Sequence, residues 1–226
     1  MEIFKSRFYF AVLLMTGSVI LDGFDGTVAR LTKTESNFGV QLDSLVDAVT
    51  FGLVASVMIY MWGFQNTNPP IGQVIGFIFL SAGVIRLARF NVLKEAKAQP
   101  SNVFVGLPIP IGALAIASVV LVFETPLEDQ SHVTIFAFYV LLVSLLMVSS
   151  IRYRTMKKMN SKNNLLVLFL AAIIIAIAIK FPTYTIPTLT LLYMISPLLF
   201  YVYNKVRKYK APTVPIESVP DKVGES

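Results

Sequence analysis

Four aspartates, Asp22, Asp25, Asp43 and Asp47, stand close together in a chain whose neighbouring residues are almost all apolar. Counting from Asp22, the offsets of Asp25, Gly26, Ala29 and Arg30 are 3, 4, 7 and 8, which is one face of an α-helix. Gly39, Asp43 and Asp47 follow at intervals of 4 and 4, again one face. The link between the two segments is short, so the two acid-bearing faces can meet. An ionised Asp at the centre of a membrane helix costs on the order of 2.5–3.5 kcal/mol, so four of them need compensation. Divalent metal is the cheapest form of it. Carboxylate oxygens without Cys or a nearby His suit hard cations, Mg²⁺ or Mn²⁺, rather than Zn²⁺ or copper. Gly26 and Ala29 leave room for a ligand or a neighbouring backbone. Arg30 can hold a phosphate through two hydrogen bonds. Two other readings stand beside this one: the acids as helix caps or interfacial residues, or as the cation sites of an ion-coupled transporter. The transporter explains the carboxylates but not the dense local motif, and the long segments show no paired breaks.

The elements that must position these groups are membrane helices. Of 226 residues, 55% are hydrophobic and only 14% charged, where a soluble domain would be nearer a quarter charged. The mean hydropathy is +0.71. Long apolar runs dominate over amphipathic stripes, so the expected class is all-α, a polytopic bundle of about seven spans. They run roughly over 8–30, 40–62, 71–91, 105–123, 133–151, 165–180 and 185–203. Residues 1–210 form one integral membrane domain, and 211–226, with mixed charge and prolines, read as a disordered tail. The absence of Cys excludes disulfides and thiolate-bound metal. The net charge of +6 lies between apolar segments and at the C-terminus, which suggests topology and anionic lipid as partners and no nucleic acid. Basic linkers (Arg30 and Lys33; Lys94 and Lys97; Arg152 to Lys162; Lys205 to Lys210) alternate with neutral or acidic ones. The positive-inside rule then places the C-terminus, and the end carrying the aspartates, in the cytoplasm. Lys5 and Arg7 fall on the disfavoured side in that arrangement.

The pattern Asp-x2-Asp-Gly-x2-Ala-Arg-x8-Gly-x3-Asp-x3-Asp, matched at all eight fixed positions from Asp22 to Asp47, resembles the signature of the CDP-alcohol phosphatidyltransferases. The resemblance implies two divalent ions held by Asp22, Asp25, Asp43 and Asp47, with Asp47 also the general base. It implies that Asp22, Gly26, Ala29, Arg30 and Gly39 line a CDP pocket. The implied reaction is attack by an alcohol on the lipid-side phosphorus of a CDP-linked lipid, with release of CMP, in a bacterial or archaeal cytoplasmic membrane. It implies a homodimer too, and a further membrane helix ahead of the one carrying Asp22, for which the chain begins too late.

Three more stretches, Asp43 to Gly52, Arg86-Leu-Ala-Arg-Phe-Asn91 and Gly106-Leu-Pro-Ile-Pro110, are similar to the phosphatidylserine synthase branch of that family, as is Leu146 to Tyr153. Ala55 stands where relatives often carry Pro, so a straighter helix is expected there. This branch implies CDP-diacylglycerol and L-serine as substrates. Sister enzymes accept glycerol 3-phosphate or inositol phosphate instead, and the charges of Arg86, Arg89 and Lys94 alone suit either. Arg86, Arg89 and Asn91 are candidates to bind the acceptor or a phosphate, against a simple snorkelling role for the arginines. The prolines of Gly106–Pro110 fit a first helical turn or a kink. Ser44 is expected to pack against a helix, His132 to be structural and Trp62 to be an interfacial anchor.

Overall fold

A computed structural model describes residues 2–32, 36–96, 103–123, 125–154, 169, 173–174 and 176–209; for 2–6, 24–32, 37, 103, 154 and 201–209 only the backbone is described. The architecture is a helical membrane bundle. Helix α1 spans Glu2–Thr32 and α2 spans Asn37–Asp47. A π-helical turn at Ala48–Leu53, a short α3 at Val54–Met58 and a second π turn at Ile59–Phe64 continue α2 without a break. Then come α4 (Pro69–Glu95), α5 (Ile109–Val122), α6 (Gln130–Val148) and α7 (Pro182–Tyr209). Among the described residues four helices are long and apolar enough to cross a membrane: Phe38–Phe64, Pro69–Glu95, Gln130–Val148 and Pro182–Phe200. Helix α5 is apolar but shorter than a full span. Of the expected sixth span only scattered helical residues and 176–180 are described, and the expected tail lies outside the described residues.

Local chemistry accounts for several boundaries. Ser36, extended at φ −122°, opens α2 by accepting a hydrogen bond from the Gly39 N–H at 3.0 Å. Asn68 does the same for α4 toward Ile71, ahead of Pro69 and Pro70. The fourth span differs from expectation at its start. Val103–Val105 is instead a strand, β1, paired antiparallel with β2 (Arg152–Arg154), with Phe104 opposite Tyr153. Gly106 then turns the chain at φ +78°, a conformation open to glycine, and its N–H donates to the Ile151 carbonyl at 2.8 Å. Pro108 and Pro110 lie at the start of α5, where the first-turn reading put them.

Helix α4 packs on α6 and on the segment from the first π turn to the second, while α5 packs against α1 and α7. The Ser56 hydroxyl lies within hydrogen-bond distance of the Gly76 carbonyl on α4 (2.8 Å) and of Gly52 O on its own helix (2.9 Å), tying two spans together where no water competes. Trp62 departs from its expected role. It is 1% exposed and packs edge-on against Phe136 at 5.1 Å, and Phe64 also packs against that ring at 6.0 Å. The span-end Trp thus fills the core. His132 lies on the surface beside Asp129, Nδ1 to Oδ2 3.4 Å. Many large apolar side chains on the outer faces are exposed, as lipid-facing positions must be.

Candidate active site

Helices α1 and α2 place the acids as their spacing requires. Asp22, Asp43, Asp47 and Gly39 line one cleft of about 410 Å³, together with Ser18, Leu21, Leu42, Val46, Thr50 and Phe51. Asp47 lies in the electrostatic field of Asp22, Asp43 and Arg86, so one cleft gathers three carboxylates and has a cation beside it. Asp25, Gly26, Ala29 and Arg30 continue the same helix, α1, and their side chains lie outside the described residues. Among the described residues no three carboxylates converge closely enough to enclose a single ion. What the described part supplies is an all-oxygen acidic wall on two facing helices, a donor chemistry suited to hard divalent cations.

The three residues expected near the acceptor part company. Arg86, 7% exposed, sits with its guanidinium carbon 5.3 Å from the Phe90 ring centre and 5.8 Å from that of Phe104, and its Nε has no hydrogen-bond partner among the described residues. Tyr193 is close enough to act on it electrostatically, and Tyr193 stacks on Tyr153 at 5.5 Å. Burial pushes the Tyr153 phenol up from its ordinary value, so this ring stays neutral. Arg89 instead donates to the Val148 carbonyl at 2.8 Å and the Ser149 carbonyl at 3.1 Å, closing the C-terminal end of α6. Asn91 donates to the Ser44 hydroxyl at 2.9 Å and to Gln41 Oε1 at 3.4 Å, fastening α4 to α2. Ser44 is thus the helix-packing hydroxyl it was expected to be.

Ser18 and Thr50 are cleft residues that the motif does not contain. The signal for both was present: Ser18 precedes Asp22 by one helical turn and Thr50 follows Asp47 by three residues, so each extends an acid-bearing face.

A polytopic helical membrane protein with an acidic cleft between two helices is the class defined so far. A model of the CDP-alcohol phosphatidyltransferases matches residues 1–206, and the chain belongs to that family. It is accordingly a membrane transferase of phospholipid synthesis. Over 207 residues it is 35% identical to a CDP-diacylglycerol–serine O-phosphatidyltransferase of Helicobacter pylori, covering 89% of this chain and 83% of the relative. A protein of the same name from Mycobacterium tuberculosis is 33% identical over 190 residues, 81% of this chain and 66% of that one. An archaetidylserine synthase of Methanothermobacter thermautotrophicus is 37% identical over 148 residues, 63% and 57% of the two chains.

Proposed function

We propose that the chain transfers a phosphatidyl group from CDP-diacylglycerol to L-serine, giving phosphatidylserine and CMP. The observation that carries this reading is the convergence of Asp22, Asp43 and Asp47 on one cleft, in the register of the family motif. Serine is the acceptor in the names of relatives with both ester-type and archaeal-type donors, which favours it over glycerol 3-phosphate or inositol phosphate.

In this reading Asp47 takes the proton of the serine hydroxyl as its oxygen bonds to the lipid-side phosphorus. The bond from that phosphorus to the bridging oxygen breaks, and CMP departs with the electron pair. An Asp is a weak base for an alcohol, so most of the acceleration comes from holding the reacting groups in line. Two divalent cations, Mg²⁺ or Mn²⁺, held by Asp22, Asp25, Asp43 and Asp47, would supply positive charge to the pyrophosphate and the leaving group. Arg30, Gly26 and Ala29 would border the nucleotide on α1, and Gly39 on α2. Arg86, a buried cation that acts electrostatically on Asp47, would hold the serine carboxylate. Arg89 and Asn91 would act by fixing the helix that carries it. The basic linkers favour the cytoplasmic face for this end of the bundle.

The test is CMP release by purified protein from CDP-diacylglycerol with Mn²⁺ or Mg²⁺, offering L-serine, glycerol 3-phosphate, inositol phosphate or no acceptor. Release with serine alone, falling by at least about a hundredfold in Asp47→Asn, is expected. Release with another acceptor would keep the chemistry and overturn the serine assignment.

A further inference from the structure

Thr50 stands apart from most hydroxyl residues of the spans, and among the hydroxyls that line the cleft, in what its side chain does. Thr16, Ser44, Ser118, Ser144 and Thr190 each donate to the carbonyl four residues earlier, the ordinary fate of a hydroxyl in a membrane helix. Ser18, across the cleft, does so as well, to the Leu14 carbonyl at 3.0 Å. The Thr50 hydroxyl lines the cleft and makes no hydrogen bond among the described residues. It stands inside the first π turn, where the Val54 N–H reaches back five residues to the Val49 carbonyl. Such turns disturb the four-residue spacing that a back-bonded hydroxyl needs, and they recur at functional sites. The result is a donor kept free beside three carboxylates.

Position along the span indicates what it meets. Thr50 lies three residues further toward the middle of its helix than Asp47, and Ser18 about 6 Å further along α1 than Asp22. Gly39 and Asp43 mark the other end of the cleft. Beyond Asp22 and Asp47 the lining residues are Ser18, Leu21, Thr50 and Phe51, which carry no charge. A nucleotide and a water-soluble acceptor suit the acidic end; the diacylglycerol end of the donor suits this one. We infer that the Thr50 hydroxyl donates a hydrogen bond to a phosphate oxygen on the diacylglycerol side of the bound donor, and so sets the depth at which the reacting phosphorus sits. The inference rests on the phosphatidyl-transfer reading above and adds a donor contact outside the family motif.

The experiment measures binding of CDP-diacylglycerol and, separately, of CMP to detergent-purified protein with Mn²⁺, for wild type, Thr50→Val and Thr50→Ser. It is run alongside KM for L-serine. Thr50→Val keeps the shape and loses the donor. Its affinity for CDP-diacylglycerol is expected to fall about tenfold, while CMP affinity and KM for L-serine hold. Thr50→Ser is expected to restore the affinity. Unchanged CDP-diacylglycerol affinity in Thr50→Val overturns the inference, as does a change confined to KM for L-serine. So does an equal loss of CMP affinity with a lowered melting temperature, which would mark a packing role. Wild type that binds CDP-diacylglycerol but releases no CMP with serine would sink the serine reading and leave the Thr50 contact standing. Wild type that does not bind the donor at all would sink both.

Discussion

Arg86 and Arg89, three residues apart on α4, show how little residue type alone decides. Arg89 spends its guanidinium on two carbonyls at the end of α6, 59 and 60 residues away in sequence. Arg86 keeps an N–H unpaired among the described residues, beside aromatic rings near Asp47. Spacing and charge could nominate both; only the docking of α6 against α4 separates them. Two predictions follow from that division. Arg89→Ala should lower stability by about 2 kcal/mol or more, since it removes charge-assisted bonds and leaves two carbonyls bare. Equilibrium unfolding in detergent would show it, and an unchanged transition would mean that the contacts contribute nothing. Arg86→Lys keeps the charge but loses the planar fork and its fit against Phe90 and Phe104. Its KM for L-serine should rise about tenfold with KM for CDP-diacylglycerol little changed. A rise in the lipid KM instead would move Arg86 to the donor side.

Elements were legible where periodicity governs them and illegible where a few backbone contacts do. Helical spacing brought Asp22, Asp43 and Asp47 to one cleft because the faces of α1 and α2 follow from the 3.6-residue repeat. The two π turns were not foreseen. Ala55 in place of Pro suggested a straighter helix, yet the ladder widens on either side of α3. No residue type marks a π turn, and here both lie against close neighbours: a Cβ on Gly52 would stand 2.8 Å from Leu80, and one on Gly63 would meet the Phe136 ring at 2.5 Å. Strand β1 was hidden by the apolar run Val103–Val105, which reads equally as the start of a span. Gly106 is the hinge between strand and helix. With φ at +78° and the Met147 carbonyl directly in the path of any Cβ, Gly106→Ala should destabilise the fold by roughly 2–3 kcal/mol. Arg152 to Tyr153 would lose their pairing with β1 first. Comparing melting temperatures of the variant and wild type decides it, and equal values would mean that the turn is not strained by a side chain.

At the scale of the whole molecule, the cleft can be supplied with a nucleotide-linked lipid only from the membrane face where that lipid and serine are made available. Linker charge favours the cytoplasmic face, a topology that labelling can test. The end of α4 carries Lys94 and the long basic linker follows Ser149, whereas the turn between the second π turn and α4 has no charge. Neutral turn and basic linker lie at opposite ends of the Pro69–Glu95 span, so the positive-inside rule gives them opposite sides of the membrane. Because the chain contains no Cys, single cysteines can report this without background. Asn66→Cys and Glu95→Cys both fall on exposed positions beyond the ends of that span's apolar stretch. In sealed right-side-out vesicles a membrane-impermeant maleimide should label Asn66→Cys and spare Glu95→Cys until the vesicles are opened; inverted vesicles should reverse the pattern. The cleft residues Gly39 and Asp43 belong to the same end of the bundle as Glu95, since Asn91 of α4 bonds Ser44 and Gln41 of α2. Labelling of Glu95→Cys from outside would therefore place the acidic cleft on the outer face, and the supply of both substrates from the cytoplasm would have to be abandoned with it.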